Sequence, residues 1–473
     1  MEVGEDHTSD EACKFKWSEG ASQLGAFEET EGREIGSMSL ETPEKIGKFQ
    51  RKLYRKAKRE PEFRFYSLYD KVYRKDILRH AYRLVKEEKG GPGVDEETFE
   101  DIEEQGLSDW LEDLREDLKE GTYKPKPLKR VEIDKDTGGK RPLSIPTVRD
   151  RVAQMAAKLV LEPIFEMDLH DQAYGYRPNR SCLDAVKKVR SGLRDGYPHV
   201  VDADVSGYFD NIPHDQLLKS VANRVSDGSI LALIKAWLKV PIRKEDDNGK
   251  VTFSGGESST KGTPQGGVIS PLLANIYINR LLKAWNRYGK PEKFHAHLVN
   301  YADDFVVLCR TKRGAREALE WIRNAIGAMG LTLNREKTSI CNANLDDFNF
   351  LGYTFGRKYH KFTGTSYLAA TPSDESVKSL KERVKRILKT SRGSKWEEVV
   401  EELNYLLTGW ANYYSYGTLN ATYKAINHYV YDVVVRFLSR RQKLSTRNTR
   451  IFPGDRVFGV LGVCKLAKES WKQ

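Results

Sequence analysis

The chain has 473 residues, 39% of them hydrophobic and 31% charged, with a formal net charge of +11. That length is enough for two or three cored domains, and no apolar run approaches the roughly 18 residues of a membrane span. Five scattered cysteines, Cys13, Cys182, Cys309, Cys341 and Cys464, include no Cys-x-x-Cys pair, which argues against a zinc ribbon or a disulfide framework and fits a reducing cytoplasm.

The charge is unevenly placed. Residues 1–45 hold twelve acids against four bases, which leaves +19 for residues 46–473. A basic bulk of that size suits an anionic partner, because Lys and Arg replace counterions along a phosphate backbone. Residues 1–43, rich in Glu, Gly and Ser and without periodicity, read as a disordered acidic leader.

Residues 44–95 read as a basic N-terminal extension. Lys48, Arg51, Lys52, Arg55, Lys56, Lys58 and Arg59 precede Phe63, Phe65, Tyr66 and Tyr69. Bases beside aromatics can contact RNA; a solvated helix with a packed aromatic end explains them almost as well. A helix over about 76–88 ends at Gly90-Gly91-Pro92-Gly93, a loop signal. Leu107, Trp110, Leu111, Leu114 and Leu118 mark the core face of the next helix. Residues 131–135 and 140–145 read as a hairpin with bases close to its turn; on residue type alone Lys135 and Arg141 are ordinary solvated cations. A helix over 147–169 buries Val148, Val152, Met155, Leu159 and Ile164. The loop that follows contains Tyr174, Tyr176, Arg177 and Arg180 and ends at Ser181, a helix cap.

Val200 and Val201 open a strand whose end carries Asp202 and Asp204 and which breaks at Gly207. Gly262 to Gly267 is a glycine-rich turn before a helix that starts near Ser270-Pro271. Glycine lets backbone approach a ligand, and Gln265 offers an amide to nucleotide or template. No Gly-Lys-Ser/Thr follows, so it is not a Walker loop. From Val299 to Leu308 two apolar runs flank Asp303-Asp304, a hairpin whose turn carries adjacent carboxylates. Two such acids repel each other and resist desolvation, and a bound cation keeps both ionised. An Asp-Asp turn by itself is ordinarily solvated, and Asp204 is what changes the balance. Folded against the hairpin, Asp204 would join Asp303 and Asp304 around two Mg²⁺ ions about 4 Å apart, with Mn²⁺ as a substitute. His295 and His297 lack a third ligand and read as ordinary strand residues.

Residues 331–340 and 348–355 read as further strands. Past Pro372, nineteen bases stand against ten acids over residues 373–473, and three helices are expected near 374–390, 395–415 and 420–442. Leu403, Leu406, Leu407, Trp410 and Tyr414 form a core stripe. Arg436, Arg440, Arg441, Lys443, Arg447 and Arg450 make an RNA-facing surface.

Tyr301-Ala302-Asp303-Asp304, the stretch from Asp204 to Phe209, and Gly262-Thr263-Pro264-Gln265-Gly266-Gly267 through Asn275 together resemble a bacterial group II intron reverse transcriptase of the maturase type. Leu406 to Tyr414 and Phe452 to Phe458 are similar to its maturase-specific thumb, and the resemblance begins near Glu44. It implies an α+β right-hand polymerase with fingers and palm over 96–365, then an α-helical thumb or maturase domain X over 366–473. The implied activity is RNA-directed DNA synthesis on an RNA template with a DNA primer and deoxynucleoside triphosphates. Binding of group II intron RNA for splicing, and of target DNA for retrohoming, would accompany it. By resemblance Asp204, Asp303 and Asp304, with the Val205 carbonyl, hold the metal. Lys135, Arg141, Gln265 and Lys337 face the nucleotide, and Phe209 lies under its sugar, with Tyr208 as a competitor. Arg177 and Arg180 follow the template, and Arg440 and Arg441 meet RNA. With no Cys/His-rich nuclease module read near the end, mobility without a self-encoded second-strand cut is implied. Two alternatives stand beside this reading: a chiefly non-catalytic splicing cofactor, and a domesticated enzyme of CRISPR adaptation, phage defence or repair. The expected location is the bacterial cytoplasm, on the nucleoid when DNA is engaged.

Overall fold

The computed structural model describes residues 41–134, 140–246, 248–360, 363–391, 393–444 and 448–467. Lys135, Arg447 and nearly all of the acidic leader lie outside them. In chain order the strands are β1 (Leu128–Asp134), β2 (Lys140–Ile145), β3 (His199–Asp204), β4 (Pro241–Glu245), β5 (Val251–Gly255), β6 (Ala296–Tyr301), β7 (Asp304–Cys309), β8 (Ser339–Asn342), β9 (Phe348–Phe350), β10 (Tyr353–Tyr359) and β11 (Ser366–Pro372).

The helix Val148–Glu166 is the hub of the N-terminal half. Thr147 caps it by accepting from the Asp150 amide, and almost every residue along it is buried. A helix buried on all sides must be wrapped by other elements, and the helices Glu44–Arg59 and Lys75–Glu87 pack on it. Ile46, Ala57, Leu78 and Val85 thereby join one core with Val152 and Val160. The 44–95 segment is thus part of the fingers core and not a separate appendage.

The palm is an antiparallel sheet in the order β6-β7-β3-β8. Because side chains alternate along a strand, Val200, Asp202 and Asp204 share one face and Val201 and Ala203 the other. The first face packs Val200, Val299, Val306 and Leu308 against Ala185, Val186 and Val189 of the helix Cys182–Arg194. The second packs Val201, Ala203, Leu298, Phe305 and Val307 into the main core. Apolar residues on both faces explain why these strands read as nearly continuous apolar runs.

Two strand expectations are corrected. Residues 331–338 do not continue as a strand: the Asn334 side chain accepts from the Glu336 and Lys337 amides, and that turn leaves only β8 and a single bridge between Val205 and Leu333. The 348–355 strand is broken at Leu351-Gly352, where φ is 49° and 73°, so Phe350 faces Tyr353 across a two-residue hairpin turn. The fingers sheet, β2-β1-β4-β5, also contains a hairpin that the sequence reading did not identify. Every residue of β5 is exposed, so no burial alternation marked it.

β11 pairs along its length with β10, and the helical unit therefore begins at Asp374 and not at residue 366. Its helices, Asp374–Thr390, Trp396–Tyr413 and Asn420–Arg441, fall where periodicity placed them. They enclose a second core of Leu380, Val384, Leu403, Leu407, Ile426 and Val434. Tyr413 Oη donates to the Leu351 carbonyl and Tyr353 Oη to the Tyr413 carbonyl, which ties this unit to the β9–β10 hairpin.

Candidate active site

Three elements meet at the open end of the palm sheet. The β6–β7 hairpin turns through Ala302 and Asp303, with Tyr301 paired to Asp304. Ala302 has φ of 57°, a left-handed conformation that an L-residue adopts only when its surroundings enforce it. Buried Asn300 supplies part of that enforcement. Its Nδ2 donates to the carbonyls of Ala302 (2.9 Å) and Asp304 (3.3 Å), holding the turn from within.

A second support comes from residues 172–177. Asn300 N donates to the Gln172 carbonyl and Tyr174 N to the Asn300 carbonyl, which extends β6 by a parallel bridge. Gly175 lies against the turn so closely that a Cβ there would stand 2.7 Å from the Ala302 nitrogen. Asn275 Nδ2, from the helix Ser270–Arg287, fixes the Gly175 carbonyl at 2.7 Å.

Asp204 ends β3 directly opposite Asp304 at the start of β7. Asp303 therefore adjoins a register-matched pair of acids. Lys337 Nζ stands 3.4 Å from Asp204 Oδ2 and is itself largely exposed. Burial raises the Asp303 carboxyl, with Asp204 repelling it and Arg141 partly compensating. The Asp304 side chain opens to solvent at the sheet's mouth. Crowding by protein atoms on its other sides, then repulsion from Asp303, Asp204 and Asp202, push it up to about 7. Asp202 is pushed up to about 6 by burial and by Asp204.

Among the described residues, no group of three or more His, Cys, Asp or Glu side chains is arranged to hold a metal ion. By residue type the donor set nevertheless fits a hard divalent cation: several carboxylates with excess negative charge, offset among the described residues by Lys337 and Arg141. The bridge beside Asp204 is closed by the carbonyls of Asp204 and Thr332, so it does not use the Val205 carbonyl.

An Asp raised above its usual 3.8 in the fold keeps protons that the unfolded chain releases. Metal-free stability should therefore fall as pH rises from about 4 to about 7. Mg²⁺ should raise the melting temperature more at pH 8 than at pH 5, and Asp304→Asn should remove the difference. An equal rise at both pH values would place the cation elsewhere.

The glycine-rich turn docks the fingers onto this site. Thr263 N donates to the Phe209 carbonyl at 2.7 Å, and Ser144 N to the Gln265 carbonyl at 2.7 Å. Gly266 has φ of 113°, and a Cβ on it would meet the Ser144 oxygen at 2.5 Å; only glycine fits there. Gln265 Nε2 donates to Asp210 Oδ2 at 3.2 Å, and Asp210 is coupled electrostatically to Arg130 and Arg141. Phe209 is buried, with 9% of its surface left open.

Arg177 is a correction. The sequence reading put it on the template, but it is 5% exposed, doubly bonded to Glu166 and donating to the His170 and Ala173 carbonyls. Its donors are spent inside the loop. Arg180 is outward, paired with exposed Asp171 at 2.6 Å and lying over the Tyr174 ring. Arg440 and Arg441 are exposed at the end of the Asn420–Arg441 helix. Sequence reasoning missed Asn300, Asn275, Gly175 and His214. An amide inside an otherwise apolar strand, as at Asn300, was a usable signal. His214 Nε2 lies 2.7 Å from the Gly262 carbonyl and carried none.

Comparison with known proteins follows the same division. Residues 133–355 match the family model for reverse transcriptase (RNA-dependent DNA polymerase). Residues 377–451 match that for the group II intron maturase-specific domain. Protein YkfC of Escherichia coli is 33% identical over 366 residues, 70% of this chain and 93% of YkfC. The group II intron-encoded protein LtrA of Lactococcus lactis is 29% identical over 354 residues, 61% of this chain and 56% of LtrA. An uncharacterized 91 kDa protein in the cob intron of Schizosaccharomyces pombe is 27% identical over 449 residues, 80% of this chain and 54% of the relative. The chain thus spans nearly all of YkfC and little more than half of the other two.

Proposed function

The chain belongs to the family of group II intron-encoded reverse transcriptases and maturases, and from that premise we propose that it copies RNA into DNA at the Asp204, Asp303 and Asp304 site. The observation that carries the assignment is the register: Asp204 and Asp304 are direct cross-strand partners, with Asp303 in the adjoining turn. Two Mg²⁺ ions bound there would supply charge stabilisation for in-line attack of a primer 3′-hydroxyl on a nucleotide phosphate. The carboxylates and the Val205 carbonyl would hold them. Arg141 and Gln265, together with Lys135, orient the triphosphate of a deoxynucleotide. Lys337 stands beside Asp204 as a mobile cation for the same phosphates, and Phe209 excludes a 2′-hydroxyl from beneath the sugar.

The helical unit carries the second part of the function. Its match to a maturase-specific domain, together with exposed Arg440 and Arg441, supports binding of intron RNA to assist splicing. Target DNA is the further partner in retrohoming. No helix among the described residues is long and apolar enough to cross a membrane.

The deciding experiment is primer extension on an RNA template with Mg²⁺, offering deoxynucleotides or ribonucleotides, beside an intron-splicing assay. Extension with deoxynucleotides and faster splicing together support the joint reading. Tight RNA binding and splicing without any extension would leave the splicing cofactor reading in place of the polymerase.

A further inference from the structure

The loop that carries Arg177 is built into the palm. Residues 173–177 are fastened on four sides. Tyr174 bonds to Asn300 of β6, Asn275 holds the Gly175 carbonyl, Arg177 ties the Ala173 and His170 carbonyls to Glu166, and Gly175 abuts the Ala302 backbone. Tyr176 sits in the middle of this clamp with φ of 55°. A bulky residue pays for that conformation, so its ring is where it is because the surroundings impose it.

The ring is directed between two residues of the site. Its centroid lies 6.4 Å from that of Phe209, nearly edge-on at 82°, and 6.4 Å from that of Tyr301, the residue before the catalytic turn. Edge-to-face contacts at such distances fix ring orientation as well as adding attraction. Phe209 also belongs to the main core and is fixed through its main chain and through a second ring. Its carbonyl accepts from the Thr263 amide, and its ring meets Tyr208 at 5.7 Å, which is anchored by its hydroxyl to the Ala274 carbonyl at 2.6 Å. Thr263 and Tyr208 fix where Phe209 starts, and the Tyr176 ring bears on its ring from a third side.

We propose that Tyr176 is a positioning residue for sugar selection, its clamped ring holding Phe209 at the height where a 2′-hydroxyl collides with it. This rests on the reading of Phe209 as the residue beneath the sugar. A rigid gate rejects the extra hydroxyl by collision, whereas a gate free to swing admits it at little cost. The clamp also joins the gate to the turn that bears Asp303, so that sugar and reacting phosphate are registered against one frame.

The test is single-nucleotide incorporation on an RNA template, measuring kcat/KM for a deoxynucleotide and its ribonucleotide with parent, Tyr176→Ala, Tyr176→Leu, Tyr176→Phe and Phe209→Val proteins. Phe209→Val should collapse the deoxy-to-ribo ratio. Tyr176→Ala should lower it by about tenfold, mainly through a better KM for the ribonucleotide, and Tyr176→Phe should restore the parent ratio. Tyr176→Leu keeps bulk without an aromatic edge and should fall between, which also decides the matter if the alanine protein does not fold. An equal loss for both nucleotides would make Tyr176 merely structural and overturn the proposal, as would an unchanged ratio while Phe209→Val relaxes it. If Phe209→Val leaves the ratio intact, the sugar-gate reading itself fails and the proposal falls with it.

Discussion

Asp303→Asn is expected to lower RNA-templated extension by on the order of 10³-fold, because a metal-holding carboxylate supplies several kcal/mol of charge stabilisation and each 1.36 kcal/mol is tenfold in rate. RNA binding should stay near the parent value. Folding should be unharmed or improved: burial and Asp204 both disfavour the charged Asp303 side chain, and asparagine removes the charge at nearly the same volume. Lost activity beside retained or increased thermal stability is a combination that a structural role for Asp303 would not produce. Extension within about tenfold of the parent would remove Asp303 from the metal site. Loss of RNA binding together with extension would make the turn a structural element.

What the sequence displayed of this site, and what it hid, divides by physical kind. That Asp204, Asp303 and Asp304 come together was legible because short motifs mark them by residue type, and the register of β3 against β7 brings them side by side. Arg177 was misread because a basic side chain looks the same in sequence whether it faces RNA or a buried glutamate; only Glu166, eleven positions earlier, decides. The helices of the C-terminal unit were placed almost to the residue, since apolar period and capping are local. The break at Leu351-Gly352 was not, because leucine is no turn former and its φ of 49° is set by the thumb contacts around it, where Tyr413 bonds the Leu351 carbonyl. The residue at 334 shows the reverse: an asparagine whose side chain accepts from the Glu336 and Lys337 amides and so makes a turn was a local signal overlooked beside Leu331 and Leu333.

Gly175→Ala should show how far the turn depends on its support. The added Cβ would stand 2.7 Å from the Ala302 nitrogen and 3.2 Å from the Tyr301 carbonyl carbon. Neither side can easily retreat. The turn is held by Asn300 at two carbonyls, and the Gly175 carbonyl is held by Asn275. Overpacking of this kind costs about 1–3 kcal/mol, enough to lower the melting temperature by a few degrees without unfolding the chain. The larger effect falls on activity. A misplacement of about 1 Å at reacting groups costs on the order of 10²-fold, and here the shift is delivered directly to the residue beside Asp303. Gly327→Ala is the matched control, for it adds the same methyl to the exposed side of the Lys312–Ala328 helix with nothing within 4 Å. It should gain about 0.5–1 kcal/mol from helix propensity and leave extension unchanged. Loss of activity in Gly175→Ala proportional to its loss of stability, or none at all, would mean that the turn keeps its geometry without the clamp. A loss far exceeding the stability change would locate the clamp's contribution in the placement of the acids.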